Sequence, residues 1–333
     1  MKLSQLGEFG LIERVRSATP RSRDVLLGIG DDAAWVTNKF SSSLVTSDLL
    51  IENVHFNLKW TSLFALGYKT VAVNLSDIAA MGGIPAYLIL SVGIPANFRT
   101  EQIDEFYRGV RSLAMKTGVI LIGGDMSVAD SLLISACLIG HAPYRPIRRA
   151  GARVGDDIYV TGTLGDSALG LKLLKTKSPQ NGKGPHAYLL SRHHQPTPRL
   201  TTGLSLAQER LATAMIDVSD GLLQDLGHIC KASGVGAAIF EGKIPLSPAY
   251  RTLVGREGLH YALAGGEDYE LLFCARRCDR IRIEKLQKRT NVAMTRIGTC
   301  VSGRQGTIVL DSQGRRLPMR ALGHDHFKSR RFK

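Results

Sequence analysis

Gly28-Ile29-Gly30-Asp31-Asp32-Ala33-Ala34 closes the apolar run of residues 25–29, and its reading decides the fold. G-x-G-x-x-A after a strand is the dinucleotide fingerprint, in which glycines bring backbone N–H groups against a pyrophosphate. Here the positions that would face the pyrophosphate hold Asp31 and Asp32, two carboxylates that repel it unless cations intervene. The residues that follow, Trp35-Val36-Thr37-Asn38-Lys39-Phe40, are β-branched, aromatic and polar, a poor start for the helix that such a fold needs. A dinucleotide site of that type is rejected. What remains is a pair of aspartates on a glycine turn, to be read with others of their kind.

Those others are Asp48 in V-T-S-D, Asp77 in N-L-S-D, Asp125 in I-G-G-D, and Asp217 and Asp220 in I-D-V-S-D-G. Taken singly, Asp31, Asp32 and Asp125 read as turn or capping residues after glycine, and Asp217 with Asp220 as an N-cap pair. Taken together they are carboxylates set in apolar or glycine-rich surroundings, where a charge is costly unless it is paired or bound to metal. Mg²⁺ takes oxygen ligands and is commonly shared between carboxylates and substrate phosphates. The set therefore points to phosphate chemistry on a metal template. Other phosphate signatures fail: Gly165-x4-Gly170 is followed by Leu171-Lys172, out of register for a P-loop, and no H-R-D or D-F-G set occurs.

Working outward, residues 25–29, 43–46 and 87–92 read as strands, 68–81 as a helix of small residues ended by Gly82-Gly83, and Thr100 as the N-cap of a helix. Ile103, Phe106, Val110 and Leu113 mark the buried face of that helix. Residues 119–122 and 132–139 are strands parted by a Gly123-Gly124-Asp125 turn. The pattern restarts near Ala150-Gly151, with strands at 157–161, 215–218 and 269–274 and helices up to 174 and over 220–232. Residues 176–185 form a polar connector. Both halves are mixed α/β, which sets domains at 1–149 and 150–333. Asn74-Leu75-Ser76-Asp77 faintly echoes Asp217-Val218-Ser219-Asp220.

In 333 residues, 43 Lys and Arg against 29 Asp and Glu give a net charge of +14, a field that favours anionic partners. With aromatics at 6% and no basic run interleaved with them, a stacking platform for single strands is excluded, and no nucleic-acid partner is expected. Cys137, Cys230, Cys274, Cys278 and Cys300 form no C-x-x-C pair and read as reduced thiols. The first 15 residues lack the apolar core of a signal peptide, and no apolar run approaches a membrane span. A cytoplasmic protein without a membrane partner is expected.

G-I-G-D-D-A, T-S-D, H-F, N-L-S-D-I-A-A-M-G, G-G-D, I-D-V-S-D-G-L and G-G-E-D-Y-E follow one another between about residues 7 and 327. In that order the chain resembles the thiamine-monophosphate kinases of the aminoimidazole ribonucleotide synthetase-like superfamily. The resemblance implies a two-domain α/β (α+β) fold whose N-terminal domain completes a β-barrel across a homodimer. It implies transfer of a phosphoryl group from ATP to thiamine monophosphate with Mg²⁺, and no covalent nucleophile. By motif position, Asp32, Asp48, Asp77, Asp125 and Asp217 would bind Mg²⁺, Thr46 and Ser47 would add oxygens, and Asp220 would hold a further ion. Gly124, Asp125, Arg149 and Ser219 would contact ATP; His55 and Glu267 would contact thiamine monophosphate. His324 stands where such enzymes tend to place an aromatic ring against the substrate. Two alternatives stay open: an ATP-dependent cyclase or ligase of the same superfamily, and a Mg-nucleotide-binding protein without turnover.

Overall fold

The computed structural model describes residues 3–20, 22–27, 29, 35–36, 42–176, 183–254 and 259–318. Asp31, Asp32, His324 and most of the 176–185 connector lie outside them. The chain divides into two compact units, residues 1–78 with 83–143, and residues 79–82 with 144–333.

The first unit contains α1 (Leu3–Ala18), β1 (Val25–Leu27), β2 (Trp35–Val36), β3 (Ser43–Ile51), α2 (Leu63–Ala80, whose last two residues fall in the second unit), β4 (Ile84–Ile94), α3 (Thr100–Thr117), β5 (Ile120–Val128) and β6 (Leu133–His141). Trp35 and Val36 pair as a short strand with residues 25–27, which agrees with the rejection of a helix there. The four-stranded sheet runs β3-β6-β4-β5, antiparallel except for β4 with β5. Leu88, Leu90, Ile134 and Leu138 from the sheet are buried, as are Leu66, Leu75 and Ile78 of α2. On α3, Ile103, Phe106, Val110 and Leu113 are buried as their spacing requires.

Helices α2 and α3 approach until their backbones touch. A Cβ added to Gly67 would stand 2.0 Å from the carbonyl oxygen of Phe106, and one added to Gly109 would stand 2.0 Å from that of Phe64. Glycine at both crossing points is what the geometry demands.

Two local expectations are corrected. Thr100 is the first helical residue and not the cap; the Arg99 N–H donates to Gln102 Oε1 at 2.9 Å, so the N3 side chain covers the helix start. Gly123-Gly124-Asp125 is not a turn but part of β5, paired with Ile89, Leu90 and Ser91. Gly124 serves close approach: a Cβ there would meet the Leu90 carbonyl oxygen at 1.9 Å.

The second unit contains β7 (Asp157–Thr161), α4 (Asp166–Lys175), α5 (Gly184–His194), α6 (Leu200–Gln208), β8 (Ala212–Asp217), α7 (Leu222–Ser233), β9 (Val235–Phe240), α8 (Pro248–Val254), α9 (Leu259–Ala264), β10 (Leu271–Ala275), α10 (Arg280–Thr290), β11 (Met294–Ser302) and β12 (Thr307–Leu310). Its six strands run β12-β9-β11-β7-β10-β8. Every residue of β7 and β10 is buried, because helices cover both faces of the sheet centre. Ile158, Val160, Leu272 and Cys274 join the core with α4, α5, α7 and α9; Tyr159, Leu271 and Phe273 join the one with α6 and α10. Cys274 and Cys300 place their Sγ atoms 3.5 Å apart in the first of these cores, Cys230 is also buried there, and Cys278 is exposed.

The echo between Asn74–Asp77 and Asp217–Asp220 has no structural counterpart. The first lies inside α2, the second runs from the end of β8 into a loop.

Candidate active site

In the first unit, alternation along β3 sorts the residues by face. Thr46 and Asp48 share the half-buried face with Leu44 and Leu50, while Val45, Ser47 and Leu49 are exposed on the other. Ser47 therefore does not present its hydroxyl with those of its neighbours. Across from β3, α2 delivers Asp77, and the Thr46 hydroxyl donates to Asp77 Oδ2 at 2.5 Å. Asp48 stands close enough to feel it: burial first, and then the charge of Asp77, raise the Asp48 carboxyl to about 6. A proton or a cation must settle such a pair.

Asp125 is elsewhere in the sheet. Ladder partners carry Asp48 to Ala136, Ala136 to Leu90 and Leu90 to Gly124, next to Asp125. Asp48 and Asp125 thus occupy the same level on opposite edge strands, three strand spacings or about 14 Å apart. Asp125 is exposed, and its Oδ1 accepts the Met126 N–H at 2.9 Å. His55 follows β3 in a turn, and its Nδ1 accepts the Ile51 N–H at 3.0 Å, which puts the ring proton on Nε2.

In the second unit, Asp217 ends β8 and is buried, and Ser219 and Asp220 follow in a loop. That loop is held by a residue the sequence reading passed over. Asp225, on the first turn of α7, accepts the backbone N–H groups of Ser219, Asp220 and Gly221 at 3.1, 3.1 and 3.0 Å. Burial, reinforced by the charge of Asp220, raises the Asp225 carboxyl to about 7. Asp220, Asp225 and His228 each offer a ligand atom within 4.8 Å of the others. Asp225 sits three residues before His228 on one helix face, a spacing that the motif I-D-V-S-D-G-L alone does not advertise.

Glu267 lies against the same loop. Its N–H donates to the Ser219 carbonyl at 2.8 Å, and the Tyr269 N–H donates to that of Val218 at 2.9 Å. The approach needs Gly266, where a Cβ would meet the Ser219 carbonyl oxygen at 2.4 Å. Glu267 and Tyr269 both adopt left-handed φ, +67° and +52°, a conformation uncommon outside glycine. The backbone of Glu267 thus lies directly against Ser219. Arg149 is placed apart from them: the Arg148 carbonyl accepts the Met215 N–H and Gly151 abuts Thr213, so Arg149 runs beside the start of β8 while Ser219 lies past its end.

Behind the loop is a buried ionic network. Glu270 receives Arg199 through Nε and Nη2 at 2.6 and 2.5 Å, Arg192 at 2.8 Å and the Thr161 hydroxyl at 2.6 Å. Two guanidiniums and a hydroxyl offset the cost of burying its charge. Asp268 accepts the N–H groups of Gly165 and Ser167, and burial raises its carboxyl to about 8.

The model of the AIR synthase related protein N-terminal domain matches residues 30–142, and that of the C-terminal domain matches residues 153–311. A thiamine-monophosphate kinase of Bacillus subtilis (strain 168) is 35% identical over 97% of this chain and 100% of its own length. The chain belongs to the thiamine-monophosphate kinase family. Among solved members, thiamine-monophosphate kinase from Stenotrophomonas maltophilia K279a is 40% identical, covers 90% of this chain and 95% of its own, and superposes with a TM-score of 0.82. AaThiL complexed with AMPPCP and TMP is 34% identical, covers 98% and 99%, and gives a TM-score of 0.75. The family's two-domain α/β fold is the one described above.

Proposed function

We propose that the chain is the ATP-dependent kinase of its family, transferring the γ-phosphoryl group of ATP to thiamine monophosphate to give ADP and thiamine diphosphate. The observation that carries this is that the chain spans essentially the whole of a relative complexed with AMPPCP, an ATP analogue, and TMP. Donor and acceptor are both phosphates, so the first barrier is repulsion between anions. The acceptor phosphate is already ionised at neutral pH, and the residues have no proton to abstract from it. Their work is to hold two anions in line.

In the described part of the chain, Thr46, Asp48 and Asp77 fit a hard divalent cation. They are oxygen donors in one place, and two of them are carboxylates forced together. Mg²⁺ there, with Asp125, Asp217, Asp220 and the undescribed Asp32, would screen the phosphates and stabilise the charge that spreads during transfer. The Ser219 loop, pinned by Asp225, would offer the nucleotide a fixed edge; Gly124, Asp125 and Arg149 are the other nucleotide contacts proposed. His55, Glu267 and His324 complete the acceptor end. In this reading residues 1–149 bind nucleotide and metal and dimerise, and residues 150–333 supply the remaining α/β domain.

The homodimer that the resemblance implies fits the positions of Asp48 and Asp125. They belong to opposite edges of one four-stranded sheet and can serve one site if the β5 edge of a second copy is brought beside β3. The exposed Val45 and Leu49 on β3 are the apolar surface that such an edge would cover. No described helix is long and apolar enough to cross a membrane, which is compatible with a cytoplasmic enzyme.

Incubation with ATP, thiamine monophosphate and Mg²⁺ should yield ADP and thiamine diphosphate in equal amounts. Chelation should stop the reaction reversibly while circular dichroism stays unchanged. ATP consumption without thiamine diphosphate, or full turnover in excess chelator, would refute the proposal.

A further inference from the structure

Helix α5 ends in Ser191-Arg192-His193-His194, and its last turn grips the segment from Glu267 to Glu270. Arg192 Nη2 donates to Glu270 Oε1 at 2.8 Å and to the Asp268 carbonyl at 3.4 Å. One residue on, His193 Nδ1 stands 3.3 Å from Glu267 Oε2 and 3.0 Å from Ser167 Oγ. Close packing puts it there. A Cβ on Gly170 of α4 would meet the Leu189 carbonyl oxygen of α5 at 2.4 Å, so the two helices nearly touch, and Ser167 lies one turn before Gly170.

The backbone fixes where Glu267 begins, through its left-handed φ and its bond to Ser219, but three side-chain torsions still separate that backbone from the carboxylate. His193 is different: its side chain is 5% exposed against 27% for that of Glu267, and its ring is tied to Ser167. A carboxylate only accepts hydrogen bonds, so a proton on Nδ1 makes the ring a donor facing Glu267 Oε2 at 3.3 Å, with the Ser167 hydroxyl oxygen sharing it as a second acceptor at 3.0 Å. One oxygen is thereby held from the protein side. We propose that His193 is a positioning residue that orients the Glu267 carboxylate toward the acceptor substrate, with Arg192 and Ser167 fixing the two sides of the latch. The inference rests on the reading of Glu267 as a contact for thiamine monophosphate.

The test compares H193Q, H193N, E267Q and the double variant H193Q/E267Q, with KM for thiamine monophosphate and for ATP read separately and folding checked by urea midpoint. Asparagine can place an amide N–H near the position of Nδ1; glutamine cannot place it there without displacing the chain. H193Q should raise KM for thiamine monophosphate about tenfold, the order of one hydrogen bond to a charged group, and leave KM for ATP unchanged. H193N should restore most of the loss, which a mere packing role for the ring would not allow. The double variant should be no worse than E267Q, because His193 acts through Glu267. Wild-type KM in H193Q, or effects of H193Q and E267Q that multiply, would overturn the proposal. An E267Q enzyme with wild-type KM would instead remove the reading of Glu267 beneath it. If H193Q does not fold, S167A loosens the same ring and should raise the same KM; no rise there overturns the proposal equally.

Discussion

At the scale of single residues, carboxylates in this molecule are kept where water would not keep them. Asp48 and Asp77 are forced together, so their charge is useful only when something positive settles between them. Asp77→Asn and Asp125→Asn preserve shape and remove charge; turnover at saturating Mg²⁺ should fall by roughly 10²–10³, the usual loss for one preorganised electrostatic contact. Asp77→Asn should leave the urea midpoint unchanged or raise it, since repulsion with Asp48 is relieved. Near wild-type turnover in both variants would remove the aspartates from the site. Asp268 yields a different test. An unfolded aspartate titrates near 3.9, whereas burial lifts the native group to about 8. The native state thus holds a proton that the unfolded chain has released, and the stability this contributes is complete below about 3.9 and lost as pH rises toward 8. Between pH 5 and 8.5 the unfolding free energy of the wild type should fall relative to Asp268→Asn by more than ~1 kcal/mol. A constant gap across that range would contradict the burial argument. Most of these carboxylates were legible in the sequence because glycine and apolar neighbours marked them. Asp225, His193 and the Arg192–Arg199–Glu270 network were not, since their partners lie far along the chain and only the fold brings them within reach.

At the scale of elements, periodicity gave the helices more faithfully than the turns. The apolar spacing of α3 needs no tertiary information, and the continuous burial of β10 follows from its unbroken apolar run. Gly123-Gly124-Asp125 misleads because glycine pairs signal turns in isolation, while here Gly124 admits a neighbouring strand at a distance no side chain permits. The same residue type has opposite consequences at different places. Gly67→Ala or Gly109→Ala would drive a methyl into the facing backbone, and each should cost about 3 kcal/mol, the upper range for overpacking. Gly227, inside α7, has nothing within 4 Å of the added Cβ; Gly227→Ala should stabilise by about 0.5–1 kcal/mol through helix propensity. Urea unfolding of the three variants checks both signs, and equal effects would show that the crossing of α2 and α3 yields more easily than its contacts require.

At the scale of the whole molecule, fold class was readable from the alternation of strands and helices in both halves, whereas assembly was reached only by resemblance. The sheet sets two of its aspartates on opposite edges, which is the feature the dimer proposal uses. Val45→Lys with Leu49→Lys should convert a dimer to a monomer by light scattering and abolish turnover together with it; a wild-type enzyme that is active as a strict monomer would sink the dimer proposal. The thiols of the second unit carry a last consequence. Cys274 and Cys300 reach toward each other from strands on either side of β7, and two strand spacings of about 4.8 Å exceed the roughly 4.4–6.8 Å that a disulfide spans. Air cannot lock this pair without prising the sheet apart. An alkylating reagent would therefore find Cys278 at once and wait on the sheet for Cys230, Cys274 and Cys300. The slow phase of thiol labelling becomes a clock for how often the second unit opens, read from the unmodified protein without a probe being added to it.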